Sequence, residues 1–321
     1  MSEGPVQWGL LSTARINEAI LEGARQSERT QIVAVASRDI ARAEAYAAER
    51  GLPRAYGSYD ELLADDDVEV VYNSLPNSLH VEWSIRALEA GKHVLCEKPL
   101  DRRVEAVERA FETAESAGRL LMEAFMYRHH PQTTKAAELV REGAIGELRQ
   151  LRSRFSWTLE DETDVRLFPE LDGGALMDLG CYCISMQRLL AGEPELVFGR
   201  QRTGGAGVDV GFTALLQFSE RCFGEFHCGF DLPEANGLEA VGSSGTLVVR
   251  DPVRCRDPHV ELDGERIDVE DVDRYFLQVE NFSAAVRGEA EPLLGREDAV
   301  AQARVIEALY RSAATGAAVG L

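Results

Sequence analysis

Short apolar runs alternate with amphipathic stretches through the first third of the chain. VQWGLL, IVAVA, VVYNS, HVLCE and LLMEA predict strands at 6–11, 32–36, 70–74, 93–97 and 120–124. Helical spacing of apolar residues covers 14–25, 40–50, 77–90 and 103–117 between them, and three of these stretches end near Gly51, Gly91 and Gly118. Strands that are apolar nearly throughout have no solvent face, so helices must cover both sides of their sheet. The pattern predicts a doubly wound parallel sheet.

Beyond about residue 125 the rhythm changes. A helix at 131–141 leads into LRQLRSRFSW, whose alternation fits a half-exposed strand, and a second helix covers 175–190. VDVGFTALLQF, RCFGEFHCGF, LEAVGSSGTLVVR and VELDGERIDV then follow as alternating strands joined by Gly-rich or acidic turns. Consecutive alternating strands make an antiparallel sheet. Helices 175–190 and 275–287 are expected to cover one face, leaving the other open to a partner subunit. Ala299, Ala303, Ile306 and Tyr310 mark one stripe of a last helix at 296–314. The fold class expected is α/β plus α+β, a doubly wound parallel sheet followed by a large open-faced, mainly antiparallel one.

Length and charge narrow the function classes. The 321 residues suffice for two domains with full cores, and 45% hydrophobic with 28% charged residues is a globular balance. The opening MSEGPVQWGL has neither the basic nor the apolar stretch of a signal peptide, and no apolar run approaches the roughly 20 residues of a membrane span. A cytoplasmic protein is expected. The formal charge of −21 repels phosphate backbones, which argues against nucleic acid as a partner. Lys92, Lys98 and Lys135 are the only lysines, so each position is informative. The six cysteines match no zinc spacing and are expected to be reduced and buried, with no metal site; His227 beside Cys228 reads as a strand residue.

Five stretches carry candidate chemistry. Where a dinucleotide-binding turn would place G-x-G-x-x-G, the chain holds Ser12, Ala14 and Asn17. A pyrophosphate needs backbone N–H groups at a helix N-terminus, which non-proline residues also offer. Ser12 and Thr13 add hydroxyls, and Asn17 suggests looser packing than glycine. Alone, the stretch is equally an ordinary strand-to-helix turn. In AVASRD, Ser37 and Arg38 suit a 2′-phosphate, although Ser37-Arg38-Asp39 reads as well as a helix cap. GKHVLCEKPL puts Glu97, Lys98 and Pro99 at the carboxyl end of a parallel strand, the edge where ligands bind in such sheets. In DGGALMDLGCYCISM, Asp178 and Tyr182 stand four apart on one helix face, read either as a functional pair or as a favourable N-terminal aspartate and a core tyrosine. EAFMYRHHPQ gathers Glu123, Tyr127, Arg128, His129 and His130 at the change of pattern, as pocket lining or as a solvated helix start, and His80 is the better candidate because it follows strand 70–74 at the sheet's carboxyl edge.

In order, GLLSTARIN, AVASRD, NSLPNSLH, ALEAGKHVLCEKPL, MEAFMYRHHPQ and GGALMDLGCYCI resemble the glucose-fructose oxidoreductase/inositol dehydrogenase (Gfo/Idh/MocA) family along nearly the whole chain. STARI and D-x-G-x-Y are similar to its branch of NADP-dependent sugar and dihydrodiol dehydrogenases. The resemblance implies a Rossmann domain over 1–125 and a substrate-binding and oligomerisation domain over 126–321, with helix 296–314 packing back on the first. It implies NADP ahead of NAD, held by Ser12, Thr13, Ala14, Arg15, Ile16, Ser37, Arg38, Leu75, Pro76, Asn77, His80, Glu97, Lys98 and Arg166. Lys98, Asp178 and Tyr182 would be catalytic, with Tyr182 as acid/base, and Arg128, Phe155 and Trp157 would join Asp178 and Tyr182 around the substrate. A free tyrosine has a pKa of about 10, so a base near neutrality needs a nearby cation such as Lys98. Asp172 departs from the family pattern, standing where related sequences often have a third glycine.

The activity so implied is hydride transfer to or from a cyclic sugar or polyol, with aldose 1-dehydrogenase chemistry on xylose or glucose as the first expectation. A trans-dihydrodiol dehydrogenase and a nucleotide-sugar 3-ketoreductase are alternatives, and a non-catalytic NADP-sensing regulator is the alternative from another class. A homodimer or homotetramer through the second sheet is expected, with no membrane partner.

Overall fold

The computed structural model describes residues 4–321, so Met1, Ser2 and Glu3 lie outside the described residues. The chain forms two compact units. One runs to Asp101 and adds Glu105–Met126 and Asp273–Ala299; the other comprises Arg102–Val104, Tyr127–Val272 and Val300–Leu321.

The first unit is built on a six-stranded parallel sheet. Its strands are β1 (Val6–Leu10), β2 (Thr30–Ala36), β3 (Arg54–Tyr56), β4 (Val70–Asn73), β5 (His93–Cys96) and β6 (Leu121–Glu123), in the order β3-β2-β1-β4-β5-β6. This is the doubly wound order, with its topological switch between β1 and β4. Every residue of β4 is buried, which accounts for its continuous apolar sequence. Helices α1 (Asn17–Arg25), α2 (Ile40–Arg50), α3 (Tyr59–Leu63), α4 (His80–Glu89) and α5 (Val104–Ala117) connect the strands. β3 and α3 were not predicted, because three and five residues are too short to show a period.

The second unit holds a nine-stranded sheet. Its members are β7 (Leu148–Thr158), β8 (Leu196–Thr203), β9 (Asp209–Gln217), β10 (Phe223–Gly229), β11 (Asp231–Gly242), β12 (Thr246–Arg250), β13 (His259–Leu262), β14 (Glu265–Asp268) and β15 (Val319–Gly320). The order is β14-β13-β12-β11-β7-β10-β9-β8-β15, with β7 and β10 parallel and the other neighbours antiparallel. Its buried face is covered by α6 (Pro131–Arg141) and α7 (Cys181–Ala191), together with residues 300–315 of the last helix. On the other face Arg152 bridges Glu225 at 3.1 Å and Glu239 at 2.9 Å, with Leu215 and Phe223 exposed on neighbouring strands.

One expectation about this sheet is corrected. Helix α8 (Arg274–Val286) does not cover it but packs in the first unit against α1 and β2. Gly23 admits the helix, since a Cβ there would come within 2.7 Å of the Phe276 nitrogen. Fully buried Trp8 then donates from Nε1 to Ser283 Oγ at 3.1 Å and meets the Phe282 ring edge-on at 5.8 Å. Amphipathicity predicted the helix but carried no information about which surface it would meet. The final helix is α9 (Arg296–Thr315).

All six cysteines are buried and unbridged. Lys92 is buried, with Nζ donating to the Asp65 carbonyl at 2.7 Å. Among the described residues no helix is long and apolar enough to cross a membrane.

Candidate active site

In the first unit the turn after β1 is closed by its own side chains. Ser12 Oγ accepts from the Ala14 N–H at 3.0 Å and pairs with Ser74 Oγ at 2.8 Å. Asn17 is fully buried and donates from Nδ2 to the Ser12 carbonyl at 2.6 Å. The expected loosening at Asn17 is therefore corrected: its amide draws the helix start onto the turn. No side chain caps α1, and among the described residues the N–H groups of Thr13, Arg15 and Ile16 meet no backbone acceptor. That donor set fits a pyrophosphate.

The end of β2 forms the helix cap read from its sequence. Asp39 caps α2, accepting from Ala41 N at 2.9 Å, while Ser37 Oγ accepts from Asp39 N at 3.3 Å. Capping by Asp39 leaves Arg38 for other work. Arg38 hydrogen-bonds the Tyr59 hydroxyl, and Arg42 lies near enough to help it oppose the upward push of burial on that phenol. Sequence reasoning missed Arg42 and Tyr59. The signal for Arg42 was its i, i+4 spacing from Arg38 at the start of a helix.

At the sheet's carboxyl edge, buried His80 points Nε2 at the Leu75 carbonyl, 2.7 Å away, and Nδ1 at the Pro99 carbonyl, 2.8 Å away. The carbonyls favour its protonated form, but burial outweighs them and lowers its pKa. The ring thus ties together the loops carrying Leu75, Pro76, Asn77 and Lys98 rather than presenting a nitrogen outward. Glu97 accepts from the Tyr72 hydroxyl, and the Lys98–Pro99 peptide is cis.

In the second unit, the DGG stretch has a specific reason for each residue. Asp172 is left-handed at φ 56° and pairs with Arg102 at 2.9 Å. A Cβ on Gly173 would lie 2.3 Å from the Arg166 carbonyl, and Gly174 has φ 130°. The chain then makes a π-helical segment, Leu176–Gly180, before α7. Asp178 sits in this wider segment and Tyr182 in the first turn of α7, so the two are not on one uniform α-helix as the spacing predicted. Single π turns recur at functional sites.

Arg166 meets Asp178, with Nε 2.8 Å from Oδ2, and its Nη1 contacts both oxygens of Asp164 at 3.0 and 3.1 Å. Asp178 is the largest cause of the raised pKa of Arg166. Buried Tyr182 lies edge-on to Tyr127 at 5.8 Å and to Phe155 at 5.6 Å. Phe155 in turn meets Trp157 at 5.3 Å. Arg128 reaches Ser185 Oγ at 3.4 Å, the same atom that the Tyr127 hydroxyl contacts at 2.7 Å. Arg128, Phe155, Trp157 and Tyr182 thus join one network of contacts with Tyr127, already read as pocket lining, and Ser185, which sequence reasoning missed, while Asp178 stands with Arg166.

Residues 8–125 match the oxidoreductase family with an NAD-binding Rossmann fold, and residues 133–248 match the GFO/IDH/MocA C-terminal domain. A D-xylose 1-dehydrogenase (NADP(+)) of Haloferax volcanii is 40% identical over 98% of this chain and 100% of its own. The chain belongs to the Gfo/Idh/MocA family. A human trans-1,2-dihydrobenzene-1,2-diol dehydrogenase is 33% identical, over 78% of this chain and 76% of its own. The crystal structure of a 3-ketoreductase from Actinomadura kijaniata in complex with NADP and TDP-benzene superposes with a TM-score of 0.91 at 33% identity, covering 96% of this chain and 98% of that one.

As a Gfo/Idh/MocA oxidoreductase, the chain binds NAD(P). Its first unit has an uncapped helix start and, at the end of β2, Arg38 hydrogen-bonded to Tyr59 with Arg42 nearby. Its second unit has a phenol among aromatic rings and a carboxylate oriented by a guanidinium.

Proposed function

We propose that this chain is an NADP-dependent dehydrogenase of aldoses that oxidises xylose or glucose at C1. The observation that carries this reading is the Tyr182 phenol, packed edge-on by Tyr127 and Phe155 within one buried aromatic cluster. Bound NADP supplies the hydride acceptor. The sugar's anomeric C–H bond breaks with its electron pair leaving as hydride, the O–H proton passes to the Tyr182 oxygen, and a lactone C=O forms. We assign Lys98 as the cation that a tyrosine base needs near neutrality. Asp178, oriented by Arg166, holds a neighbouring sugar hydroxyl. Ser37, Arg38 and Arg42 hold the 2′-phosphate, which favours NADP over NAD.

The xylose dehydrogenase relative supports the substrate class. The net charge of −21 opposes a nucleotide diphosphate sugar. A second reading, oxidation of an aromatic trans-dihydrodiol, is favoured by the Phe155–Trp157 ring pair. A sensor without catalysis would have no use for Tyr182 and the Arg166–Asp178 pair. We place the enzyme in the cytoplasm, where unbridged cysteines persist. We assign the open sheet face with Leu215 and Phe223 to contact with a second copy, tested by light scattering, where a monomer removes the assignment.

The deciding experiment follows absorbance at about 340 nm, where reduced nicotinamide absorbs, with NADP or NAD and a panel of aldoses and a trans-dihydrodiol. Tyr182→Phe is expected to keep NADPH binding and lose about 10²- to 10⁴-fold in turnover. Turnover of the diol alone establishes the second reading, and tight NADPH binding with no turnover establishes the sensor.

A further inference from the structure

The segment that carries Asp178 starts where buried polar groups tie three parts of the second unit together. Asp209, the first residue of β9, is 3% exposed. Its Oδ2 accepts from the Leu176 N–H at 2.7 Å, and its Oδ1 accepts from the Tyr310 hydroxyl of α9 at 2.9 Å. Gly174 makes room for it, since a Cβ at that position would lie 2.2 Å from Oδ1. Arg102 lies 5.3 Å over the Tyr310 ring and pairs with Asp172 at 2.9 Å. The chain is therefore held on both sides of Gly173 and Gly174.

Even when hydrogen-bonded, a buried carboxylate carries a desolvation cost that an apolar side chain would not, so plain core packing does not account for this arrangement. Burial also pushes the Asp209 carboxyl up to about 6. What the carboxylate fixes is the entry to Leu176–Gly180, a π segment whose competing α-helical path would turn Asp178 to a different direction. We propose that Asp209, held by Tyr310, is a positioning residue that sets the entry to the Leu176–Gly180 segment and thereby aligns Asp178 and Tyr182 on one substrate. This rests on the reading of Asp178 and Tyr182 given above and adds what holds them. Asp209 touches neither substrate nor cofactor in this role.

The test compares wild type with Asp209→Asn and Tyr310→Phe, using the substrate that wild type turns over best. Asp209→Asn is expected to lower kcat by about 10- to 100-fold, the cost of a misplacement of about 1 Å, with NADPH affinity unchanged. Tyr310→Phe, which removes one donor and little else, gives a smaller loss in the same direction. Wild-type kcat is expected to fall as pH drops through about 6, with Asp209→Asn lacking that limb. The charged and titratable groups facing Asp209 are Tyr310 and the Cys228 thiol, with Arg102 and Asp172 beyond the Tyr310 ring. Hydrogen exchange in both variants is expected to quicken at 174–182 and not across the unit. Wild-type kcat and exchange in both variants would overturn the proposal, as would a kcat loss matched by exchange quickened across the whole unit. If wild type turns over nothing, the functional reading fails, while the exchange pattern still decides whether Asp209 holds this segment.

Discussion

Arg166 Nε donates to Asp178 Oδ2 at 2.8 Å while Nη1 of the same guanidinium contacts Asp164. The planar fork fixes the carboxylate's orientation before any substrate arrives. Arg166, expected on the cofactor, is hydrogen-bonded here to Asp178, the carboxylate we assign to the substrate. Arg166→Met is expected to lower kcat/KM for the sugar by about 10- to 100-fold, the value of a hydrogen bond to a charged group. NADPH affinity stays within about twofold in the same expectation. Steady-state kinetics and fluorescence titration check both, and a large loss of NADPH affinity would return Arg166 to the cofactor.

The arginines beside Tyr59 give a prediction on cofactor choice. Arg38→Ala removes a charged donor from the proposed 2′-phosphate site, and Arg42→Ala removes its neighbour. Each is expected to cut kcat/KM for NADP by about tenfold or more while leaving NAD nearly unchanged. The ratio of the two specificity constants is the measurement. Equal losses with both cofactors would place these arginines elsewhere.

Asp209 also links stability to pH. Its carboxyl titrates near about 6 in the folded chain, against an ordinary value of 3.8. Between those values the folded chain keeps the proton that the unfolded chain has released. The resulting stabilisation is complete below the unfolded value and is lost as pH rises through the folded one. Urea unfolding should therefore show wild type losing ground to Asp209→Asn as pH is raised from about 4 to about 7. A constant difference across that range would mean the carboxyl does not titrate there.

Net charge sets the response to salt. With 55 acidic and 34 basic residues, self-repulsion opposes the folded state and should weaken as ions screen it. Raising potassium chloride from about 0.1 M to about 1 M shortens the screening length from about 10 to about 3 Å and is expected to raise Tm. Calorimetry across that series checks it, with sucrose separating screening from preferential exclusion. A flat or falling Tm would show that repulsion does not limit this fold.

The parts of this structure that its sequence disclosed are those governed by local periodicity. β4 and β5 were visible because buried parallel strands are apolar throughout, and α6 because Pro131 and its apolar spacing mark start and face. β8 was missed because LVFGRQRT turns polar after three residues and loses its alternation. The position of α8 was missed because it depends on Gly23 and Trp8, some 250 residues earlier in the chain. In the candidate site, Ser37, Arg38, Asp178 and Tyr182 could be named from their motifs. The π segment could not, since five residues do not distinguish its pitch from that of an α-helix. The Arg166–Asp178 pair joins residues from different elements, where no period applies. Asn17 was misjudged because its size was weighed and its amide was not.

Scarcity of lysine gives the protein an unusual chemical handle. Among side chains, an amine-directed acylating reagent has only Lys92, Lys98 and Lys135 as targets, and Lys92 is buried with Nζ on the Asp65 carbonyl. Acylation at Lys98, read by peptide mass and referenced to Lys135, is therefore a nearly single-site footprint of the Glu97–Pro99 corner, and its suppression by a bound ligand reports occupancy there without any turnover being measured.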